Sequence, residues 1–264
     1  LTDMVARLIV ILFQQGRVWF LLDQDTVSFV KCQAMCCWPS SRLSNTISEP
    51  VEYGCYQGYK IMKLFNSIGP NPHVVRMFIA ELGIDIQKVE VDLIGGENRQ
   101  EEHLTRNPSG QCPALELDDG TYLAEITAIC EYLDELHGGT NLVGTTPEQR
   151  AETRMWVRRI DLQIIEPLTN GYRYSEGYDL FKDRLRLIPE AAEGLKNIAQ
   201  ERIKWLDSQI GDKQFICGDR FSLADIMLYC FLQFGAKVGQ PFDPENRNVT
   251  RLFHSIESRK SAKA

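Results

Sequence analysis

Three short segments carry turns and side chains from which a binding or catalytic centre could be built. Ser67-Ile68-Gly69-Pro70-Asn71-Pro72 interrupts the strand-like alternation of Lys63-Leu64-Phe65-Asn66 just before a helical pattern begins. Its Gly and Pro residues break the strand, Ser67 and Asn71 bring hydrogen-bond donors to the break, and Asn71 suits the N-cap of the helix that follows. Asn107-Pro108-Ser109-Gly110-Gln111-Cys112-Pro113 is turn chemistry leading into the strand that starts at Ala114. Glu125-Ile126-Thr127 opens a further helix. The N-terminus of a helix has unpaired N–H groups and the positive end of its dipole, and both suit a carboxylate.

Other reactive residue types are placed less purposefully. His73 and His103 have no carboxylate partner nearby in sequence and read as surface residues rather than general bases. Of eight cysteines, Cys32, Cys36, Cys37 and Cys55 crowd the first sixty residues and the other four are scattered singly. None of the spacings is that of a zinc site, so no metal is expected and the thiols read as reduced. Ser222-Leu223-Ala224-Asp225 is a capping box, with Ser222 at the N-cap and Asp225 at the third helical position, and its role is folding.

The elements that must hold these segments follow from hydrophobic period. Lys63–Asn66 and Lys88–Leu93 alternate as strands around a helix whose apolar face is Val74, Val75, Phe78, Ile79 and Leu82, closed by Gly83. A short helix over 101–106 follows. Strands at 114–117 and 121–123 then flank the hairpin turn Asp118-Asp119-Gly120, before a helix over 125–136. A right-handed crossover followed by a hairpin gives a mixed four-stranded sheet covered by helices, the thioredoxin-like βαβ-α-ββα arrangement. From Pro147 onward no alternation is convincing. Long helical patterns run over 148–171 with a break near Pro167, 179–186, 190–210, 221–234 and 249–258. The fold class is therefore α/β plus all-α. Residues 59–139 are expected as the thioredoxin-like domain, 140–264 as an all-helical domain, and 1–58 as a non-core extension.

In order and spacing these motifs resemble the cytosolic glutathione transferase superfamily over 203 residues, Met62 to Ala264. The resemblance implies that Pro113 follows a cis peptide bond. That bond would turn the Cys112 backbone toward the cysteinyl part of glutathione, an edge-strand mode of peptide capture. It implies that Glu125, Ile126 and Thr127 hold the γ-glutamyl end, although Ile126 stands where the family usually has Ser. Gln111 and His103 would approach glutathione from the loop side. The residue that activates the thiol is usually Tyr, Ser or Cys, and counting back from Arg76 that position falls on Gly69. Pro70-Asn71 resembles the Pro-Asn of bacterial nu-class enzymes, so Asn71 is the first candidate for stabilising the thiolate and Ser67 the second. Trp156, Tyr172 and Tyr174 are candidates for the electrophile's pocket, with core packing an equal reading. Cys112 has a second reading as a partner in a mixed disulfide with glutathione.

Composition sets the remaining bounds. With 44% apolar and 25% charged residues and a net charge of −7, the chain has no global drive toward nucleic acid or an anionic membrane. The longest apolar run is far short of a membrane-spanning helix. Three readings stand for residues 1–58: an organelle-targeting leader, a disordered extension, or upstream sequence foreign to the natural protein. The resemblance implies a cytoplasmic two-fold homodimer that joins glutathione, its co-substrate, to small and mainly hydrophobic electrophiles. Attack on a peroxide oxygen, isomerisation and thiol–disulfide reduction share the scaffold. The alternative from another class is a non-catalytic glutathione-binding or interaction module.

Overall fold

The structure, a computed structural model, describes residues 62–264 and, near the start of the chain, the backbone of two short strands. Those strands, β1 (Ile11–Gln14) and β2 (Arg17–Phe20), pair antiparallel with Ile11 opposite Phe20, a hairpin the sequence reading did not anticipate. It lies within a unit spanning Leu1–Cys55, and Tyr56–Ala264 forms a second compact unit. The irregular stretch read between Cys32 and Gly58 falls outside the described residues.

The second unit begins with the expected mixed sheet. Strands β3 (Lys63–Asn66), β4 (Gln87–Glu90), β5 (Ala114–Glu116) and β6 (Tyr122–Ala124) lie in the order β4-β3-β5-β6. Only the β3–β4 pair is parallel. Its crossover is helix α1 (Pro70–Leu82), which buries Val74, Val75, Phe78 and Ile79 and ends at Gly83. Gly83 has φ +67°, a left-handed cap that a side chain would resist. The short α2 (Glu101–Arg106) and then α3 (Ile126–Leu136) complete the βαβ-α-ββα order.

The rest is helical: α4 (Pro147–Ile160), α5 (Glu166–Arg173), α6 (Tyr178–Phe181), α7 (Ala192–Ile210), α8 (Leu223–Lys237) and α9 (Arg247–Glu257). The break expected near Pro167 comes earlier, as a π-helical turn over Asp161–Ile165. The wider turn restarts the helix at Glu166, so Pro167 falls in a first turn where its missing N–H costs nothing. The helix expected over 179–186 is shorter, and the turns after it bring Arg184 onto the carbonyl oxygens of Leu93 (3.1 Å) and Ile94 (3.3 Å).

Helix α8 is the centre of the packing. Eleven of its fifteen residues are buried, as an almost uniformly apolar sequence requires. One continuous core joins it to α1 and α3 beneath the sheet and to α4, α7 and α9. Each fully buried Leu, Ile or Phe there contributes about 1.5–3 kcal/mol. The capping box forms as read: the Asp225 carboxylate accepts from the Ser222 backbone N–H (2.9 Å), the Ser222 hydroxyl (2.7 Å) and the Ile216 N–H (2.9 Å). No helix among the described residues is long and apolar enough to cross a membrane.

Candidate functional site

The β3–α1 connection is built by its imino acids. Gly69 is the N-cap of α1 and has φ +107°, ψ 172°, a conformation open almost only to glycine. Pro70 and Pro72 have no N–H, so Asn71 carries the only backbone donor among the first three helical positions. Asn71 lies inside the first turn rather than at the cap, and its side-chain amide makes no hydrogen bond to another described residue. The N-cap reading of Asn71 is thereby corrected, because the extended backbone and the cap both fall on Gly69. Ser67 is buried, donates its hydroxyl to the Val91 carbonyl at 2.7 Å, and does not line the adjoining cleft.

Across from that turn stands the strand-edge segment. The Cys112–Pro113 peptide bond is cis. Gln111 is exposed, while Pro113 is buried. His103, read from sequence as a surface residue, is 1% exposed and its Nε2 stands 2.9 Å from the Gln111 carbonyl oxygen. Helix α2 turns Glu101, Glu102 and Thr105 to solvent and His103 inward, onto the loop it supports. Cys112 is buried with its Sγ 3.8 Å from the same Nε2, and burial, with Glu97 and Glu90, raises its thiol pKa to about 11. A thiol held neutral there is a poor nucleophile, which disfavours the mixed-disulfide reading.

At the start of α3, Glu125 is exposed and is the one non-glycine residue with positive φ (+69°) among the described residues. Its side chain does not cap the helix, so the N–H groups of Ile126, Thr127 and Ala128 face outward without intrahelical partners. Glu125 also raises the pKa of Asp161 in the π-helical turn, after the larger effects of burial and Glu166.

A cleft of about 710 Å³ lies between the β3–α1 turn with the Gln111–Cys112 edge and helices α5, α6 and α8, within the usual range for small-molecule sites. It brings together Gly69, Asn71, Gln111 and Cys112 with Tyr172. It does not include Ser67, Pro113, Glu125, Ile126, Thr127, Trp156 or Tyr174 in its lining. Tyr172 stands edge-on to Phe234 and Phe181, with centroids 5.2 and 6.1 Å apart. Trp156 is instead a core residue, 6% exposed and set against Trp205, because it shares the inward face of α4 with Ile160. Tyr174 is two positions from Tyr172, and residues so spaced on a helix do not share a face. The residue the sequence reading passed over is Arg173, which lines the cleft with Thr169 and Tyr172 at helical spacing. No group of three metal-ligating side chains occurs among the described residues.

Comparison with known proteins gives a consistent picture. The family model "Glutathione S-transferase, N-terminal domain" matches residues 61–135, and "Glutathione S-transferase, C-terminal domain" matches residues 189–251. Glutathione S-transferase 2 of Saccharomyces cerevisiae is 31% identical over 205 residues, 74% of this chain and 84% of the relative. The crystal structure of Gtt2 from Saccharomyces cerevisiae has a TM-score of 0.72 at 31% identity, covering 76% of this chain and 98% of that one. Elongation factor 1-gamma-A of Xenopus laevis is 32% identical over 163 residues, 60% of this chain and 35% of the relative.

Proposed function

The chain belongs to the glutathione S-transferase family, and from that premise we propose that it transfers the glutathione thiolate to small, mainly hydrophobic electrophiles. Residues 59–139 bind glutathione and residues 140–264 supply most of the electrophile's wall. The observation that carries this reading is the pairing of two donors on Asn71, its backbone N–H and its unengaged amide, with the Gln111–Cys112 edge across one cleft.

A free thiol has a pKa of about 8.5 and is mostly protonated at neutral pH. Donors at a helix N-terminus favour the thiolate, and here Asn71 alone supplies them because its neighbours are prolines. Glutathione lies along the strand edge, its backbone paired with Cys112 and flanked by Gln111. Its γ-glutamyl carboxylate meets the free N–H groups of α3, with Glu125 accepting from its ammonium group. The thiol proton passes to solvent. Sulfur then bonds to the electrophilic carbon while the displaced pair leaves with a leaving group or moves onto a conjugated carbonyl. Tyr172, Phe181 and Phe234 seat the apolar body. Ser67 is set aside as a donor, its proton being committed to Val91. The working form is a cytoplasmic homodimer.

A non-catalytic binding module is the second reading, favoured by Gly69, which brings no side chain to the thiol position, and by a relative named as an elongation factor. Calorimetric titration of glutathione, followed by ultraviolet detection of bound thiolate near neutral pH, separates the two. The transferase reading expects binding with a thiolate band that Asn71→Ala weakens more than Ser67→Ala. Binding without the band leaves the glutathione-binding module, and no binding removes both the transferase and that module and leaves only an interaction role.

A further inference from the structure

The cleft is one-sided in charge. Arg76, Arg99, Arg173, Arg184, Lys237 and Lys263 line it, and no Asp or Glu does. This runs against the net charge of −7 carried by the chain as a whole. None of the six forms an ion pair among the described residues. A concave wall carrying one sign of charge focuses the field and raises the local concentration of the opposite sign.

The six are not equivalent. Arg76 and Arg99 stand on the sheet side, tied to Asn66, the Ser67 carbonyl and the Ala264 oxygen (3.2 Å) in one case and the Ser109 carbonyl in the other. That is the side on which glutathione and its own carboxylates are placed above. Arg173 and Arg184 come from the helical side. Arg173 gives one hydrogen bond, from Nη1 to Asn170 Oδ1 at 2.9 Å, and that acceptor is neutral. Glu166 is reached only through Asn170, whose amide donates to it at 2.8 Å. Arg184 meets only main-chain carbonyls. Burial lowers the pKa of Arg173, with Glu166 and Tyr174 acting in the opposite direction. The guanidinium also lies 5.8 Å from the Phe181 ring centroid. Drawn from water onto a neutral acceptor and an aromatic ring, it keeps most of its N–H donors free, and its planar fork matches a carboxylate. The surface around it is apolar: Tyr172, Phe181, Leu185 and Phe234.

We propose that the co-substrate is an amphipathic anion, an apolar electrophilic body seated on Tyr172, Phe181 and Phe234 with its carboxylate held by Arg173. Calling it a co-substrate rests on the transferase reading; the anion-recognising wall does not. For an aryl enone carboxylate, the glutathione sulfur bonds to the β-carbon and the C=C pair shifts onto the carbonyl oxygen as an enolate. Solvent then supplies the proton that completes the thioether. Nothing leaves and nothing is oxidised.

The test uses the full chain saturated with S-methylglutathione, which cannot react. Phenylbutanoate and phenylbutanamide, alike in shape and different in charge, are titrated by calorimetry at low and high salt. The acid is expected to bind about tenfold more tightly, the scale of one charged hydrogen bond. Its advantage should shrink with added salt. Arg173→Gln should abolish the difference, and Arg173→Lys should keep part of it, having the charge without the fork. Equal affinities in the unaltered protein, or no binding of either probe, overturn the inference whatever the variants do. A second arm compares kcat/KM with glutathione for carboxybenzalacetone and its methyl ester. Selective acid binding without turnover of either compound defeats the transferase reading and leaves the anion site standing. Equal turnover with equal binding does the reverse.

Discussion

Arg259 grips Glu81 with two parallel hydrogen bonds, Nε to Oε1 at 2.8 Å and Nη2 to Oε2 at 2.7 Å, across 178 residues of chain. Ser261 donates to the same carboxylate, and the Arg259 guanidinium lies 3.9 Å from the Phe221 ring centroid. The cluster fastens the end of α1 to the segment after α9. Burial pushes the Glu81 carboxyl up, but the bonds from Arg259 and Ser261 outweigh it and the net pKa is lowered. A depressed carboxyl contributes stability that is present above its ordinary value of 4.5 and lost as pH falls through the folded value. Glu81→Gln is therefore expected to cost about 1–2 kcal/mol at neutral pH, discounted for partial exposure of Arg259, and little in acid. Urea unfolding at both pH values checks this, and an equal loss at each would count against the ion pair.

Asp225 has the opposite sign. Burial raises its pKa to about 6 from 3.8, even though hydrogen bonds from Ile216, Ser222 and its own backbone favour the charged form. Its contribution is complete below 3.8 and declines as pH rises through about 6. Asp225→Ala strands the N–H groups of Ile216 and Ser222 and is expected to cost about 3 kcal/mol or more. Asp225→Asn keeps some acceptor capacity and should flatten the dependence of stability between pH 4 and 6. A denaturation series across that window, with the unaltered protein beside it, would expose any error in the sign.

Much of the sheet was legible because period and punctuation agree there. Alternation around Leu64 and Phe65, Gly83 after an apolar helical face and Asp118-Asp119-Gly120 each fix a boundary locally. The π-helical turn was not legible, since Asp161–Ile165 has the same apolar spacing a regular helix would show. Side-chain direction was the other gap. Tyr172 and Tyr174 look alike in sequence, yet helical geometry puts only the first beside Thr169 and Arg173 on the cleft. The burial of His103 and Ser67 was not legible because their partners, Gln111 and Val91, are fixed only once the sheet closes.

At Gly69 the backbone itself argues against recovering a side-chain hydroxyl by simple replacement. A Cβ there meets no atom within 4 Å, so space is not the obstacle. The obstacle is φ +107° with ψ 172°, where an L-residue costs about 1–3 kcal/mol. Gly69→Ser is expected to lower stability by that amount without raising the rate of glutathione conjugation. A serine variant both as stable as the parent and faster would show that Asn71 is not the principal donor.

The thiol of Cys112 should behave as a buried structural group. With a pKa near 11 it is almost wholly protonated at neutral pH. Incubation with oxidised glutathione, followed by intact-mass measurement of the chain and of Cys112→Ala, should show no glutathione adduct that depends on this residue. An adduct lost in the variant would restore the mixed-disulfide reading.

Glu125 offers the sharpest separation of stability from binding. Its φ of +69° with ψ of 122° is a strained conformation for any residue with a Cβ, and its exposed side chain makes no capping bond in return. Strain kept without a local structural benefit points to the ligand side. Glycine takes positive φ freely, so Glu125→Gly should hold or raise stability by up to about 1 kcal/mol once its greater freedom in the unfolded chain is set against the relief. The same variant loses the carboxylate proposed to meet the γ-glutamyl ammonium group, and glutathione should bind about tenfold more weakly. Thermal unfolding and calorimetry on one preparation give both numbers. Loss of stability with unchanged affinity would make Glu125 a structural residue and move the γ-glutamyl end of glutathione elsewhere.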